Sequence, residues 1–361
     1  MSVSPRAAAD LARIASLHDF EPFARERMEP AGFDYVAGGS YDEVTLAENL
    51  AAWRRFRLRP RVLVDASVID SLVTVLGRPS PAYGVAPMAL HRLADPDGEV
   101  ATVRGAAAEG AIFTLSTVSS RSIEEVAAAA PNARRWFQLY VHRDRDIART
   151  LVERAMAAGF EAIVLTVDLP LVGPRDRDQR HGFDPGDDAY GNFPRRAEYE
   201  GDWDALLDMR HAALTWDDID SIAGWSPLPV VVKGILHPDD AQLAVDHGAA
   251  AIWVSNHGGR QLDRVAPAIL ALPAIRASVS DAVELYVDGG VRRGTDVVTA
   301  LALGARAAFV GRPIMWALAA AGAVGVERAL AILRDETERA LALLGVRAAT
   351  DVDGRHVQRV G

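Results

Sequence analysis

Short apolar, β-branched runs alternate with amphipathic stretches along most of this chain. The runs are Ala82–Ala86, Ala111–Leu115, Trp136–Tyr140, Ala162–Val167, Pro229–Lys233, Ala251–Val254, Glu284–Val287 and Ala307–Val310. Their length and residue types are those of strands buried in a parallel sheet. Between them, Gly98–Glu109, Ser122–Ala130, Asp144–Ala158, Asp239–His247, Pro267–Ala277 and Thr295–Leu303 have the spacing of helices packed on one side. Eight such units predict an α/β fold, a closed (β/α)8 barrel over about residues 80–345 rather than an open doubly wound sheet. A helical segment over about 7–55 precedes the barrel and a long loop follows its fourth strand, the 361 residues reading as a single domain. No repeat of solenoid type is visible.

In a barrel the chemistry gathers where strands end. Here the ends carry Pro87 and Ala89, then Ser116, Gln138 and Tyr140, Thr166 and Asp168, and Lys233. They continue with Ser255, His257 and Arg260, with Asp288 and Arg292, and with Gly311 and Arg312. A helix cap accounts for any one of these side chains, but not for polar groups at nearly every end. The mouth is therefore expected to hold a polar ligand. The densest run is Ser255-Asn256-His257-Gly258-Gly259-Arg260-Gln261-Leu262-Asp263. Its imidazole can exchange a proton near neutral pH, and its guanidinium can grip a carboxylate through two parallel hydrogen bonds.

The last two units suggest a phosphate. Asp288-Gly289-Gly290-Val291-Arg292-Arg293-Gly294 and Gly311-Arg312-Pro313 each leave a strand and open a helix. Loops after strands seven and eight, with a helix N-terminus, are the usual phosphate site of this architecture. Lys233 ends its strand as a cation for negative charge elsewhere on the same ligand.

Composition narrows the partners. The net charge is −10, the basic residues read as scattered and no basic block is apparent, which argues against nucleic acid or an anionic membrane surface. There are no cysteines, so thiol nucleophiles and thiolate metal sites are excluded, and no metal is expected. Met1–Phe20 has no apolar signal-peptide core, and the weakly polar stretch Ala317–Val326 is too short to span a bilayer. These features lead us to expect a soluble, cytoplasmic protein.

At these motifs the chain resembles the FMN-dependent α-hydroxy acid oxidase/dehydrogenase family, which includes glycolate, lactate and hydroxymandelate oxidases. The resemblance runs from about Phe33 to Leu344. It includes Phe33-Asp34-Tyr35-Val36-Ala37-Gly38-Gly39-Ser40, Asp42-Glu43-Val44-Thr45-Leu46, Leu165-Thr166-Val167-Asp168, Val232-Lys233-Gly234 and the His257 and Asp288 loops. It implies FMN held by main-chain groups around Pro87 and Ala89, by Ser116, Gln138 and Thr166, by Lys233 beside the flavin N1–C2 edge, and by Ser255 near the ring. Asp288 would bind the ribityl chain, and Gly290, Arg292, Gly311 and Arg312 the phosphate. His257 would be the base for the hydroxyl or α-carbon proton, with Asp168 stabilising the imidazolium. Arg260, Arg175 and Tyr35 would hold the substrate carboxylate, and Tyr140 would contact the hydroxyl. The implied reaction is oxidation of an L-2-hydroxy acid to a 2-oxo acid with O2 as acceptor, in a homotetramer or homo-octamer. A quinone or carrier acceptor, a monooxygenase outcome and a non-catalytic FMN barrel are the alternatives. Relatives acting on a peptide-derived cofactor precursor tend to lack an Arg at position 260.

Some positions depart from the pattern. Pro174 stands where many relatives have Arg, so the loop around Arg175 is expected to be shaped differently. Val118 stands where glycolate-specific relatives place a bulky aromatic, which predicts a larger substrate side chain. The 169–227 loop carries the acidic Asp184-Pro185-Gly186-Asp187-Asp188 and lacks the apolar, basic insert of membrane-bound members. No preceding haem domain is expected.

Overall fold

The computed structural model describes residues 11–193 and 213–360. The start of the expected helical segment, 7–10, and part of the long loop, 194–212, lie outside the described residues. Eight strands, β1 (Tyr83–Met88), β2 (Ile112–Leu115), β3 (Arg135–Leu139), β4 (Ala162–Thr166), β5 (Val230–Ile235), β6 (Ala251–Val254), β7 (Glu284–Val287) and β8 (Ala307–Val310), form a closed barrel. Each pairs in parallel with its sequence neighbour, and β8 returns to β1 through Ala308↔Tyr83 and Val310↔Val85. The expected helices follow, with Ser122 and Asp144 capping two of them by accepting from Glu125 N and Asp146 N.

The two-residue period of the strands sorts the interior into layers. Trp136, Trp253, Tyr286 and Phe309 form an aromatic plug, with Trp253 and Phe309 ring centres 4.0 Å apart. Gly84 makes room for it, since a Cβ there would lie 2.6 Å from the Phe309 ring. Two residues further along the strands come Gln138, Ser255, Asp288 and Gly311, and two further again Tyr140, His257 and Gly290. The same alternation that fills the barrel with rings thus lifts polar side chains to its mouth. The opposite end is covered by the hairpin Leu72–Val75/Arg78–Pro81, whose Val75 carbonyl accepts from Arg134 Nη2 at 3.1 Å.

The segment before the barrel crosses the mouth. Its helices are Phe20–Arg27, Pro30–Ala37 and Val44–Ala51. The last has no cap of its own, so Asp263 from beyond β6 reaches over and accepts from Thr45 N at 2.8 Å and Val44 N at 3.3 Å. Asn49 and Asn256 exchange side-chain hydrogen bonds at 2.9 and 2.8 Å, and Trp53 donates to the Gly289 carbonyl at 3.0 Å. Phe56–Leu58 then pairs antiparallel with Val357–Arg359. The basic residues are less scattered than expected there, because Arg54, Arg55, Arg57, Arg59 and Arg61 are all exposed along this short stretch.

The helix after β8, Arg312–Leu344, extends well beyond the apolar stretch read from the sequence. It is long and apolar enough to cross a membrane, yet 61% of its most apolar window is buried inside the protein. Ala321 and Gly322 break it, and the helix, which starts at the barrel mouth, packs on Glu99–Ala108 and Phe20–Arg27.

Because Trp136 is fully buried against three other rings, Trp136→Ala should lower the unfolding free energy by about 3–5 kcal/mol, read from urea titration. A loss below about 1 kcal/mol would mean that the plug repacks without a cavity.

Candidate active site

Beyond β6 the chain reverses through three successive left-handed residues, His257 (φ 57°), Gly258 (φ 67°) and Gly259 (φ 74°). The conformation is unusual for a side-chain-bearing residue and points to local strain at His257. Gly259 has a second reason to be glycine. A Cβ there would lie 2.8 Å from the Leu46 backbone nitrogen, and its carbonyl accepts from Ser40 N at 2.8 Å. The turn therefore seats the N-terminal segment on the mouth while it presents the imidazole.

Beneath the imidazole the Ser255 hydroxyl is a junction. It accepts from Lys233 Nζ at 2.9 Å and from His257 N at 3.0 Å, and donates to Asp288 Oδ1 at 2.7 Å. Lys233 also lies 3.4 Å from Asp288 Oδ2, so its charge is balanced in the wall.

His257 Nδ1 lies 2.8 Å from Asp168 Oδ1, and its Nε2 lies 3.3 Å from the Tyr140 hydroxyl. Burial pulls the His257 pKa below the ordinary 6.5 despite the Asp168 carboxylate, with Lys233 and Arg260 acting in the same direction as burial. For Asp168 burial acts upward, but the charge and hydrogen bond of His257 outweigh it and hold the carboxyl below its ordinary range. The result is a neutral imidazole backed by an ionised carboxylate, which is the state of a general base.

Arg260, buried among cations, donates through Nη1 to the carbonyls of Tyr35 at 2.6 Å and Gly38 at 3.2 Å. Its guanidinium carbon lies 4.8 Å from the Tyr35 ring centre, and that of Arg175 lies 5.1 Å from the same ring. The two cations thus converge on one aromatic side chain, whose ring also stacks on Phe183 at 4.4 Å. Pro174 contributes its carbonyl, which accepts from Ser40 Oγ at 3.0 Å and Tyr41 N at 3.1 Å. This main-chain contact ties the Arg175 loop to the N-terminal segment whatever the side chain at position 174.

For the two remaining arginines burial outweighs the pull of nearby carboxylates, Glu21 and Asp296 on Arg292 and Glu43 and Asp288 on Arg312. Burial lowers Arg292 to about 10 and Arg312 to about 9, with Arg260 and Arg292 adding to the effect on Arg312. Among the described residues neither forms an ion pair with a carboxylate. Arg312 instead donates to the carbonyls of Val36 at 3.0 Å and Gly38 at 2.7 Å, and Arg292 to that of Val291 at 2.9 Å. A buried cation without a partner is costly and calls for an anion. Among the buried polar atoms with no hydrogen-bond partner, Gln138 Nε2 and Thr166 Oγ1 belong to residues at strand ends. These groups fit FMN: Arg292 and Arg312 would hold its phosphate, and its polar ring would lie at the strand ends that carry Gln138 and Thr166.

One cleft, with about 1180 Å³ of empty space including its open mouth, brings most of the expected residues together. Tyr35, Pro87, Ala89, Ser116, Val118, Tyr140, Arg175, Lys233, His257 and Arg260 line it, as do Asp288, Gly290, Arg292, Gly311 and Arg312. Gln138, Thr166, Asp168 and Ser255 do not line it. Asp168 and Ser255 stand behind His257 and Lys233, and Gln138 stands behind Ser116, whose hydroxyl donates to its Oε1 at 3.2 Å. Sequence reasoning missed Met88, Leu169, Val172 and Met315, apolar lining residues with no signal beyond their place after a strand or at a helix start.

The chain matches the FMN-dependent dehydrogenase family over residues 24–359. It is a member of that family. It is 44% identical over 351 residues to an L-lactate oxidase from a Nostoc species, covering 94% of this chain and 96% of that one. Against glycolate oxidase of Spinacia oleracea the identity is 42% over 353 residues, covering 95% of each. A crystal structure of mandelate oxidase superposes with a TM-score of 0.89 at 42% identity, covering 96% of this chain and 99% of the other. As a member of the family, this protein is an FMN-dependent oxidoreductase. Arg292→Met should weaken FMN binding by about tenfold or more, measured by flavin fluorescence, because it removes a buried charged donor. An unchanged dissociation constant would place the phosphate elsewhere.

Proposed function

We propose that the protein oxidises an L-2-hydroxy acid to the 2-oxo acid and passes the electrons to O2, forming H2O2. The observation that carries this reading is the Asp168–His257 pair, with Nδ1 fixed by the carboxylate and Nε2 beside Tyr140 in the cleft. FMN, when bound, accepts the two electrons removed from the alcohol carbon. His257 takes the hydroxyl or α-carbon proton at Nε2, and Asp168 stabilises the imidazolium that forms. Tyr140 contacts the substrate hydroxyl. Arg260 and Arg175, with Tyr35, hold the carboxylate. Loss of the carboxylate grip would release the substrate from its reacting orientation. The named activities of the relatives, oxidation of lactate, glycolate and mandelate, support the substrate class.

The substrate side chain meets Val118, which lines the cleft and is 7% exposed. The small residue leaves room for a group larger than that of glycolate. Lactate, an aryl or a medium-length hydroxy acid fits this space.

Flavin reduction should be rapid at neutral pH and fall on acidification, with an apparent pKa below 6.5, because protonation removes the neutral base. His257→Gln should cost about 10²–10⁴ in the reduction rate at every pH while FMN stays bound. Stopped-flow reduction within tenfold of wild type would refute the role of His257.

In a panel of glycolate, lactate, 2-hydroxyoctanoate and mandelate, glycolate should not give the highest kcat/KM. Discrimination should be graded, at about 1–3 kcal/mol between neighbouring sizes. Val118→Trp should shift the preference towards glycolate, and an unchanged ranking would mean that Val118 does not face the substrate.

A further inference from the structure

The short helix Asp176–His181 begins one residue after Arg175 and has no buried residue of its own. Six residues are too few to be a stable helix unaided, so contacts outside it must fix its place. One contact is the stack of Phe183 on Tyr35. The others are ionic, and one of them joins the helix to Arg175 itself, whose Nε lies 2.8 Å from Asp178 Oδ2. Arg177 spans two carboxylates of the N-terminal segment, with Nη1 3.2 Å from Asp34 Oδ1 and Nη2 2.6 Å from Glu43 Oε2. His181 Nε2 lies 2.9 Å from the other Asp34 oxygen. The Arg177 stem lies against Gly38, where a Cβ would come within 3.3 Å of its Cδ.

The two carboxylates flank the turn that supports the substrate and phosphate arginines, Asp34 in the helix before it and Glu43 at the start of the helix after it. Glu43 Oε1 accepts from Gly39 N at 3.0 Å, and the Asp34 carbonyl accepts from Gly38 N at 2.8 Å. The Gly38 carbonyl in turn receives Arg260 and Arg312. Arg177 therefore touches both sides of the carboxylate grip. It is two residues from Arg175 along the chain, and it holds the turn on which Arg260 rests.

We propose that Arg177 is a positioning residue, clamping the Asp176–His181 helix to the Asp34–Glu43 turn so that Arg175 and Arg260 converge on the substrate carboxylate. The inference rests on the substrate reading given above. The clamp is about one-third exposed, with side-chain exposures of 32% for Arg177, 28% for Asp34 and 23% for Glu43, so it adds little to global stability. Its effect falls on geometry, where small displacements at a binding site are costly.

The test is Arg177→Met, which keeps the stem and removes the fork, compared as FMN-loaded enzyme with wild type and Arg177→Lys. KM for the best hydroxy acid of the panel and the oxalate dissociation constant should both rise by about tenfold. In the same variant kcat should stay within about twofold and FMN affinity should be unchanged, which separates lost positioning from general damage. Arg177→Lys should recover part of the oxalate affinity. Added salt should weaken oxalate binding more in wild type than in Arg177→Met, which has no clamp left to screen. An unchanged oxalate constant in Arg177→Met, or parallel losses of kcat and FMN, overturns the proposal. Should Arg177→Met fail to give holoenzyme, Asp34→Asn with the same readouts decides. Arg260→Lys is the control for the substrate reading. If it leaves oxalate binding intact, the carboxylate sits elsewhere and that reading fails; if it weakens binding and Arg177→Met does not, only the clamp fails.

Discussion

The organisation of this protein follows from the cost of burying positive charge at the barrel mouth. Lys233, Arg260, Arg292 and Arg312 are drawn into one cleft, and among the described residues only Lys233 has a carboxylate at ion-pair distance. The other three would be prohibitive in an apolar wall. They are made tolerable in two ways: by carbonyl oxygens of the segment that crosses the mouth, and by anionic ligands that the cleft is shaped to admit. The roof, and on the proposed reading a phosphate and a substrate carboxylate, are three answers to the same electrostatic problem. The His257 pair obeys it as well, since the surrounding cations help keep the imidazole neutral and its partner ionised.

Much of the barrel was legible because strand burial leaves a local mark. Runs such as Ala251–Val254, Glu284–Val287 and Ala307–Val310 have the expected bounds, since both faces are covered and apolar residues continue to the last position. β1 and β5 run further than their sequence suggests, to Met88 and Ile235, each through an irregularity of register that composition does not encode. The mouth residues were legible for a related reason. A polar side chain directly after a buried run has few places to go in a closed barrel except the ligand.

What the sequence concealed depends on contacts between distant positions. Asp263 capping Val44–Ala51, or Asn49 paired with Asn256, leaves no trace in local periodicity. Nor does the role of Arg312 as a tie to the N-terminal segment. The helix Asp176–His181 escaped for a different reason: it is almost wholly polar, and its position comes from charges on another segment. The left-handed conformation of His257 could be suspected from the two glycines after it, but only the approach of Leu46 explains why the turn must be so tight.

The crossing segment also bears on how the molecule reaches its native state. Arg312 meets Val36 across 276 positions, and Asn49 meets Asn256 across 207. The portion synthesised first thus finds its partners only when the last strands emerge. Until then it has nowhere to dock, and the loop-closure entropy of bringing it back is met late. The barrel can close its hydrogen-bonded wall earlier through neighbouring strands. The ligand cleft, by contrast, is completed by contacts between segments far apart in the chain, so the capacity to bind should be acquired late in folding and lost early when the molecule begins to open.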